Sequence, residues 1–267
     1  MSIRFERDER GGVSVWVDGQ PQSYVVPADP RLLAFEYVEQ LAIVIDSIAP
    51  SAARLAITHV GGAGLTLPRY VEATRPGSSQ IVLEPDQALT EQVRREVPLP
   101  RGHRIRVRAV DGRRGVAALA PQSADAIVLD AFSSGQVPAE LTTIEAFTEA
   151  FTALRPGGML AANLADSPDR RYLGRVVATL AAAGACPLVL ATHDILKGRR
   201  FGNYVLAATR DELPLPELTR RAARAVAPAG VWLPDKVAAL ARSARPLTDA
   251  DSQPSPAPPD PGRWRAR

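Results

Sequence analysis

The sequence predicts an α/β protein built on a mostly parallel sheet, and three observations predict it. Short apolar runs alternate with amphipathic helical patterns from Leu55 to Thr192, which in one sheet means parallel strands covered by helices on both faces. The unit from Leu55 to Glu84 runs from an apolar stretch through Gly61, Gly62 and Gly64 into a helical pattern, then into a second apolar stretch ending in an acid. That is the pattern of a βαβ nucleotide site. After Thr192 the alternation stops, and Asn203–Thr209 comes too soon for a crossover helix, so an antiparallel pair closes one edge of the sheet.

The elements are taken in chain order. Val13–Val17 and Ser23–Val26 alternate in polarity across Asp18-Gly19-Gln20-Pro21, which predicts a β-hairpin. Such a hairpin is too small to stand alone and must pack on the larger domain; residues 1–28 are assigned to it. Pro30 opens a helical pattern through Leu33, Tyr37, Leu41, Val44 and Ile48 that Pro50 ends. Strands are then expected at 55–60, 80–84, 104–110, 125–130, 158–163 and 187–192. Helices are expected at 65–74, 86–95, 113–119, 143–153 and 169–183. The run Asp125-Ala126-Ile127-Val128-Leu129-Asp130 is apolar on both faces until its last residue, as a central strand should be. Residues 193–202 read as a polar, basic loop, and 216–243 as one or two helices. An antiparallel last pair on a seven-stranded sheet defines the class I methyltransferase type of Rossmann-like fold, assigned here to residues 29–245. From Pro246 the chain turns to Pro, Ser, Asp and Thr, and residues 246–267 are expected to be a disordered Pro-rich tail.

Composition narrows the function. With 267 residues and 46% apolar content the chain can build a sizeable core. No apolar run approaches the roughly 20 residues of a membrane span, and the charged first residues do not resemble a secretory signal, so a cytoplasmic location is expected. The lone Cys186 excludes an intramolecular disulfide framework and a cysteine-based zinc site, and reads as a small buried residue. A net charge of +3 comes from scattered arginines with only two lysines, which does not make a nucleic-acid footprint. No metal is expected.

In an open parallel sheet ligands sit beyond the carboxyl ends of the strands. Gly61, Gly62 and Gly64 lie at such an end, where they could admit a ligand to the backbone or serve a plain tight turn. Glu84 ends the next strand about 20 residues on, the distance at which an acid accepts hydrogen bonds from ribose hydroxyls. Asp111 ends the third strand, where it could accept from an adenine amino group or cap the following helix. Asp130 ends the buried fourth strand before a non-helical loop; it could take part in chemistry or cap that loop. His59, within a strand, and His103, before one, read as structural or solvated.

Together these residues resemble the spermidine synthase (polyamine aminopropyltransferase) family over most of the chain. Val17-Asp18-Gly19-Gln20-Pro21-Gln22-Ser23 is similar to that family's N-terminal Leu-Asp-Gly segment followed by Gln-Ser or Gln-Thr. Tyr37-Val38-Glu39 stands where Tyr-His-Glu is usual, and Gly61-Gly62-Ala63-Gly64 where Gly-Gly-Gly-Asp-Gly is usual. Glu84 matches the ribose-binding acid, Asp111 the acid near the adenine, and Asp130 the first acid of Asp-x-x-Asp. Leu141–Phe147 and Arg199–Asn203 are also similar to family segments. The resemblance implies aminopropyl transfer from decarboxylated S-adenosylmethionine to an amine acceptor, with Asp130 catalytic. It also implies that Gly61, Gly62, Gly64, Glu84, Asp111 and Gln22 contact the donor, and that Tyr37 and Ser133 contact the acceptor.

Three positions depart from the family pattern: Gly64 replaces an acid, Ser133 the second acid of Asp-x-x-Asp, and Val38 the histidine. The acidic lining for a polyamine is therefore thinner, while the nucleoside half is kept. Two alternatives stay open: a methyltransferase using S-adenosylmethionine itself, and a nucleoside-binding protein without catalysis. A dinucleotide-dependent dehydrogenase fits less well, because of the antiparallel last strand. The expected partner is a small amine or other acceptor, and the hairpin's exposed edges suggest a homodimer.

Overall fold

The computed structural model describes residues 2–259. Three antiparallel strands, β1 (Ile3–Arg7), β2 (Val13–Val17) and β3 (Gln20–Val25), form a small sheet in the order β1-β2-β3. The hairpin read from the sequence is β2 and β3. β1 joins β2 as a third strand, pairing Ile3 with Val17 and Arg7 with Val13. A loop leads to helix α1 (Glu36–Asp46), which starts later than the periodicity from Pro30 suggests. Leu33 keeps the apolar spacing but precedes the helix, and Phe35 is its N-cap in extended conformation.

The main domain then alternates as expected. Strand β4 (Ala56–Val60), helix α2 (Thr66–Thr74), strand β5 (Ser79–Leu83), helix α3 (Gln87–Glu96) and strand β6 (Ile105–Arg108) come first. Helix α4 (Gly112–Ala117), strand β7 (Ala124–Leu129), helix α5 (Ile144–Ala153), strand β8 (Leu154–Asp166), helix α6 (Arg171–Ala182) and strand β9 (Cys186–Thr192) come next. A four-residue helix α7 (His193–Leu196) occupies part of the expected basic loop before strand β10 (Gly202–Thr209). Helix α8 (Leu215–Arg224), strand β11 (Ala229–Trp232) and helix α9 (Pro234–Ala241) complete the regular elements.

The large sheet runs β11-β9-β10-β8-β7-β4-β5-β6. Strands β4 to β8 pair in parallel, and β10 pairs antiparallel with both β8 and β9. This is the Rossmann-like sheet of the methyltransferase type, with β11 added as an eighth strand beyond β9. Strand order reverses between β4 and β7, whose carboxyl ends therefore open the cleft.

Both faces are covered, as the near-continuous apolar strands require. On one face Ile127, Leu129, Leu160 and Leu206 meet Phe147, Phe151, Leu173 and Val176 of α5 and α6. On the other Val128, Ala161, Leu190 and Val205 meet Leu41, Val44 and Ile45 of α1. The small sheet is anchored by Val15 against Leu65, Val82 and Leu89, and by the Gly64 N–H donating to Ser23 Oγ at 2.9 Å.

The expectation of disorder from Pro246 onward is corrected over the described residues. Residues 246–258 lie along the domain with Leu247 and Ser255 fully buried. The Leu247 carbonyl accepts from Ile144 N–H and its own N–H donates to Thr179 Oγ1, while Ser255 Oγ accepts from Val137 N–H at 2.8 Å. Arg113 pairs with Asp249 and Arg175 with Asp251. Few apolar residues suffice here because the backbone groups find partners on the domain. The remainder of the expected tail, 260–267, lies outside the described residues. Cys186 is exposed, contrary to the buried reading: it shares the sheet face of the fully buried Leu188 and Leu190 but stands at the first position of β9, at the end of the strand.

Candidate active site

Asp130 comes directly after β7, and its backbone N–H donates to Val60 O, so it stands beside the glycine turn after β4. Gly61 has φ +89°, and a Cβ there would collide with the Asp130 carbonyl oxygen. Glycine is needed for both the conformation and the close approach. The turn and the acid are thus held side by side at the reversal of strand order.

The Asp130 carboxyl is embedded among side chains, and this burial pushes its pKa up to about 6. A hydrogen bond from Asn163 Nδ2 to Asp130 Oδ1, 2.9 Å long, opposes the shift by favouring the charged form. Asn163 Oδ1 in turn accepts from Asn203 Nδ2 at 2.9 Å. Asp130, Asn163 and Asn203 therefore form a chain across three neighbouring strand ends. Burial, and then the Asp130 charge, raise the Tyr37 phenol well above its ordinary value, so it remains a donor at neutral pH. Tyr37 stacks on Phe35 with ring centroids 5.8 Å apart.

Two adjoining hollows share walls made by Gln22, Phe35, Tyr37 and Phe132. The inner recess lies over Gly61, Gly62, Ala63, His59 and Asp130. The outer cavity, about 390 Å³, extends between β3, α1, the loop after β7 and the ends of β9 and β10. Pro258 of the C-terminal segment forms part of its wall beside Gly135.

The sequence-derived residues do not all converge. Asp130, Gly61, Gly62, Gln22 and Tyr37 meet at the shared wall and the inner recess. Glu84 lies on the far side of the glycine turn: its Oε2 accepts from Gly62 N–H and Ala63 N–H, its Oε1 from Asp86 N–H. Asp111 caps α4 through Oδ1, which accepts from Arg114 N–H at 2.9 Å. Both acids stand outside the walls of the two hollows, at the ends of β5 and β6. Gly64 points elsewhere. A Cβ on it would meet Ser23 and Val15 of the small sheet, so the missing family acid is not a gap in the cavity wall. Ser133 is exposed in a tight turn with Gln136 and lines neither hollow.

His59 is buried and neutral, its pKa lowered by burial to about 4, with Nε2 held by Gln80 Oε1 at 3.0 Å. Sequence reasoning missed Asn163, Asn203, Gln40 and Thr192. A signal was there for Asn163, a polar residue inside the apolar buried run of β8, and for Gln40, a polar residue next to the apolar run Leu41–Ile45 of α1; Thr192 and Asn203 stand at half-buried strand ends and carried none. Among the described residues no helix is long and apolar enough to cross a membrane, and no group of three or more His, Cys, Asp or Glu could hold a metal ion.

No protein-family model matches the chain, and no curated protein sequence matches it. Among solved structures it is similar to a probable spermidine synthase from Corynebacterium glutamicum, with 30% identity, 92% of each chain covered and a TM-score of 0.85. A spermidine synthase in complex with the transition-state analogue AdoDATO shares the fold at 16% identity and a TM-score of 0.55, covering 89% of this chain and 79% of that one. Human methyltransferase-like protein 13 in complex with SAH shares it at 21% identity and a TM-score of 0.53, covering 80% of this chain and 92% of that one.

Proposed function

The chain belongs to the spermidine synthase family, and from that premise we propose that it is an aminopropyltransferase using decarboxylated S-adenosylmethionine and an amine acceptor. Asp130 carries the reading: a half-buried carboxyl beside the glycine turn, with a pKa near 6, lining the inner recess next to the outer cavity. The AdoDATO and SAH complexes of proteins with this fold support an adenosyl compound as co-substrate.

The donor's adenosine would lie across the glycine turn. Glu84 is already oriented there by three backbone N–H groups and keeps one lone pair, on Oε1, for a ribose hydroxyl. Asp111 has Oδ1 committed to the helix cap and Oδ2 3.6 Å from Arg114 Nε, and lone pairs on Oδ2 remain for the base. The sulfonium and its aminopropyl arm would reach over Gly61 toward Asp130. The acceptor enters from the outer cavity with its amine at Asp130.

The chemistry is a displacement at carbon. The amine nitrogen forms a bond to the aminopropyl carbon, the carbon–sulfur bond breaks, and its electron pair stays on sulfur, giving neutral methylthioadenosine. Asp130 takes the proton that the nitrogen sheds and returns it to solvent. The sulfonium is a good leaving group, so alignment and proton removal are the protein's main tasks. A carboxylate with pKa near 6 is ionised at neutral pH and still able to accept a proton.

Incubation with decarboxylated S-adenosylmethionine and a panel of amines, with chromatography for methylthioadenosine, tests the proposal. Release is expected, and Asp130→Asn should lower it by about 10²- to 10⁴-fold. No release with any amine, or release only from S-adenosylmethionine itself, would count against it.

A further inference from the structure

Four polar side chains cross the strand ends on the α1 face. Asp130 lies one residue beyond the Leu129–Ala162 pair and so stands opposite Asn163; Asn163 pairs with Val205; Asn203 lies two residues from Val205 on the same face. Thr192 ends β9 and, continuing the β9–β10 register, stands opposite Asn203. The row spans three strand spacings, about 14 Å, and shifts two residues, about 7 Å, along β10, about 16 Å from end to end. Hydrogen bonds link its first three members, but Thr192 Oγ1 is buried without a partner among the described residues. On α1, Gln40 is 3% exposed and its Oε1 likewise has no partner. Both residues line the outer cavity.

Charge in this cavity is balanced. Among the described residues its one acid besides neighbouring Asp130 is Glu36, and Arg200 stands 3.7 Å from it. The rest of the wall is largely apolar, with Phe35, Phe132 and Ile195. A second ammonium at the Gln40 end would lie in an apolar hollow without a free carboxylate, whereas an uncharged donor would satisfy the two orphaned oxygens.

We infer that the acceptor is a monoamine whose far end carries an uncharged hydrogen-bonding group, a hydroxyl or amide, received by Gln40 and Thr192. Allowing a hydrogen bond at each end, about 10 Å remains between the amine and that group, the reach of an extended medium-chain amino alcohol. The inference rests on the aminopropyl-transfer reading and assigns its acceptor class.

The test compares kcat/KM for amino alcohols, diamines, ω-amino acids and plain alkylamines of matched chain length, with decarboxylated S-adenosylmethionine as donor. Amino alcohols should exceed the matched diamines and alkylamines by about 10-fold. Gln40→Leu and, independently, Thr192→Val should each shrink the ratio of amino alcohol to alkylamine toward one, and Gln40→Glu should turn the preference toward the diamine. A wild-type preference for diamines would overturn the inference. So would a preference for ω-amino acids, which would make Arg200 the reader of a carboxylate. If no amine releases methylthioadenosine, the transfer reading fails separately. Calorimetric titration of the same compounds, with and without methylthioadenosine, then still decides the cavity's preference: tighter binding of amino alcohols supports the inference, and tighter binding of diamines or no discrimination overturns it.

Discussion

Replacing Asn163 by leucine would change the acidity of Asp130 without touching the carboxyl itself. Asn163 is fully buried, and its amide donates to Asp130 Oδ1 at 2.9 Å. A hydrogen bond to a charged group contributes about 1.5–3 kcal/mol, and one pKa unit corresponds to about 1.4 kcal/mol, so its loss should raise the Asp130 pKa by about 1–2 units. The charge sets the direction. The bond favours the carboxylate, and removing it favours the acid. A base works only when ionised, so activity is lost as pH falls through its pKa. In the wild type the acid limb of kcat/KM should have its midpoint near 6; in Asn163→Leu it should lie between about 7 and 8. Methylthioadenosine release between about pH 5 and pH 9 reads the limb, and a carbon-13 titration of the Asp130 carboxyl reads the same pKa without turnover. A variant that is slower but keeps its midpoint near 6 would refute the reasoning, since loss of packing alone lowers the plateau and leaves the limb in place.

Two further outcomes are expected from the same structure. Glu84→Gln turns an amide NH₂ toward either the Gly62 and Ala63 N–H groups or the Asp86 N–H, so affinity for methylthioadenosine should fall about 10-fold or more by calorimetry. An unchanged affinity would remove Glu84 from the donor site. Leu247→Ala empties a fully buried position under the C-terminal segment and should cost about 2–5 kcal/mol, seen as a lower denaturant midpoint with an unchanged slope. A shift below measurement error would mean the segment is not held by that side chain.

What the sequence revealed depended on how local its signals were. The apolar run ending in Asp130 and the glycine turn ending β4 are continuous features, and both positions were legible. The eighth strand was not: Ala229–Trp232 is too short to show a period, and only pairing with β9 makes it a strand. The late start of α1 was hidden because Leu33 keeps helical spacing to Tyr37 while serving a loop. Residues 246–258 have the composition of a disordered tail, yet one buried leucine and a series of backbone partners hold them. Asn163 and Asn203, forty residues apart, become neighbours only through the register of an antiparallel pair. Gly64 was read as a lost acid in the site because a sequence pattern carries no direction; its missing Cβ faces the small sheet.

The C-terminal segment also sets an order of assembly. The glycine turn, Glu84, Asp111 and Asp130 all precede residue 131, so the surfaces assigned to the donor come from the first half of the chain. The outer cavity takes wall residues from Thr192, Arg200, Asn203 and finally Pro258. During vectorial synthesis the residues of the nucleoside surface therefore emerge first, and β8, α5 and α6 must follow before that half of the sheet is packed. A fusion or cleavage near residue 258 would alter the choice of acceptor while leaving the adenosyl surface as it was.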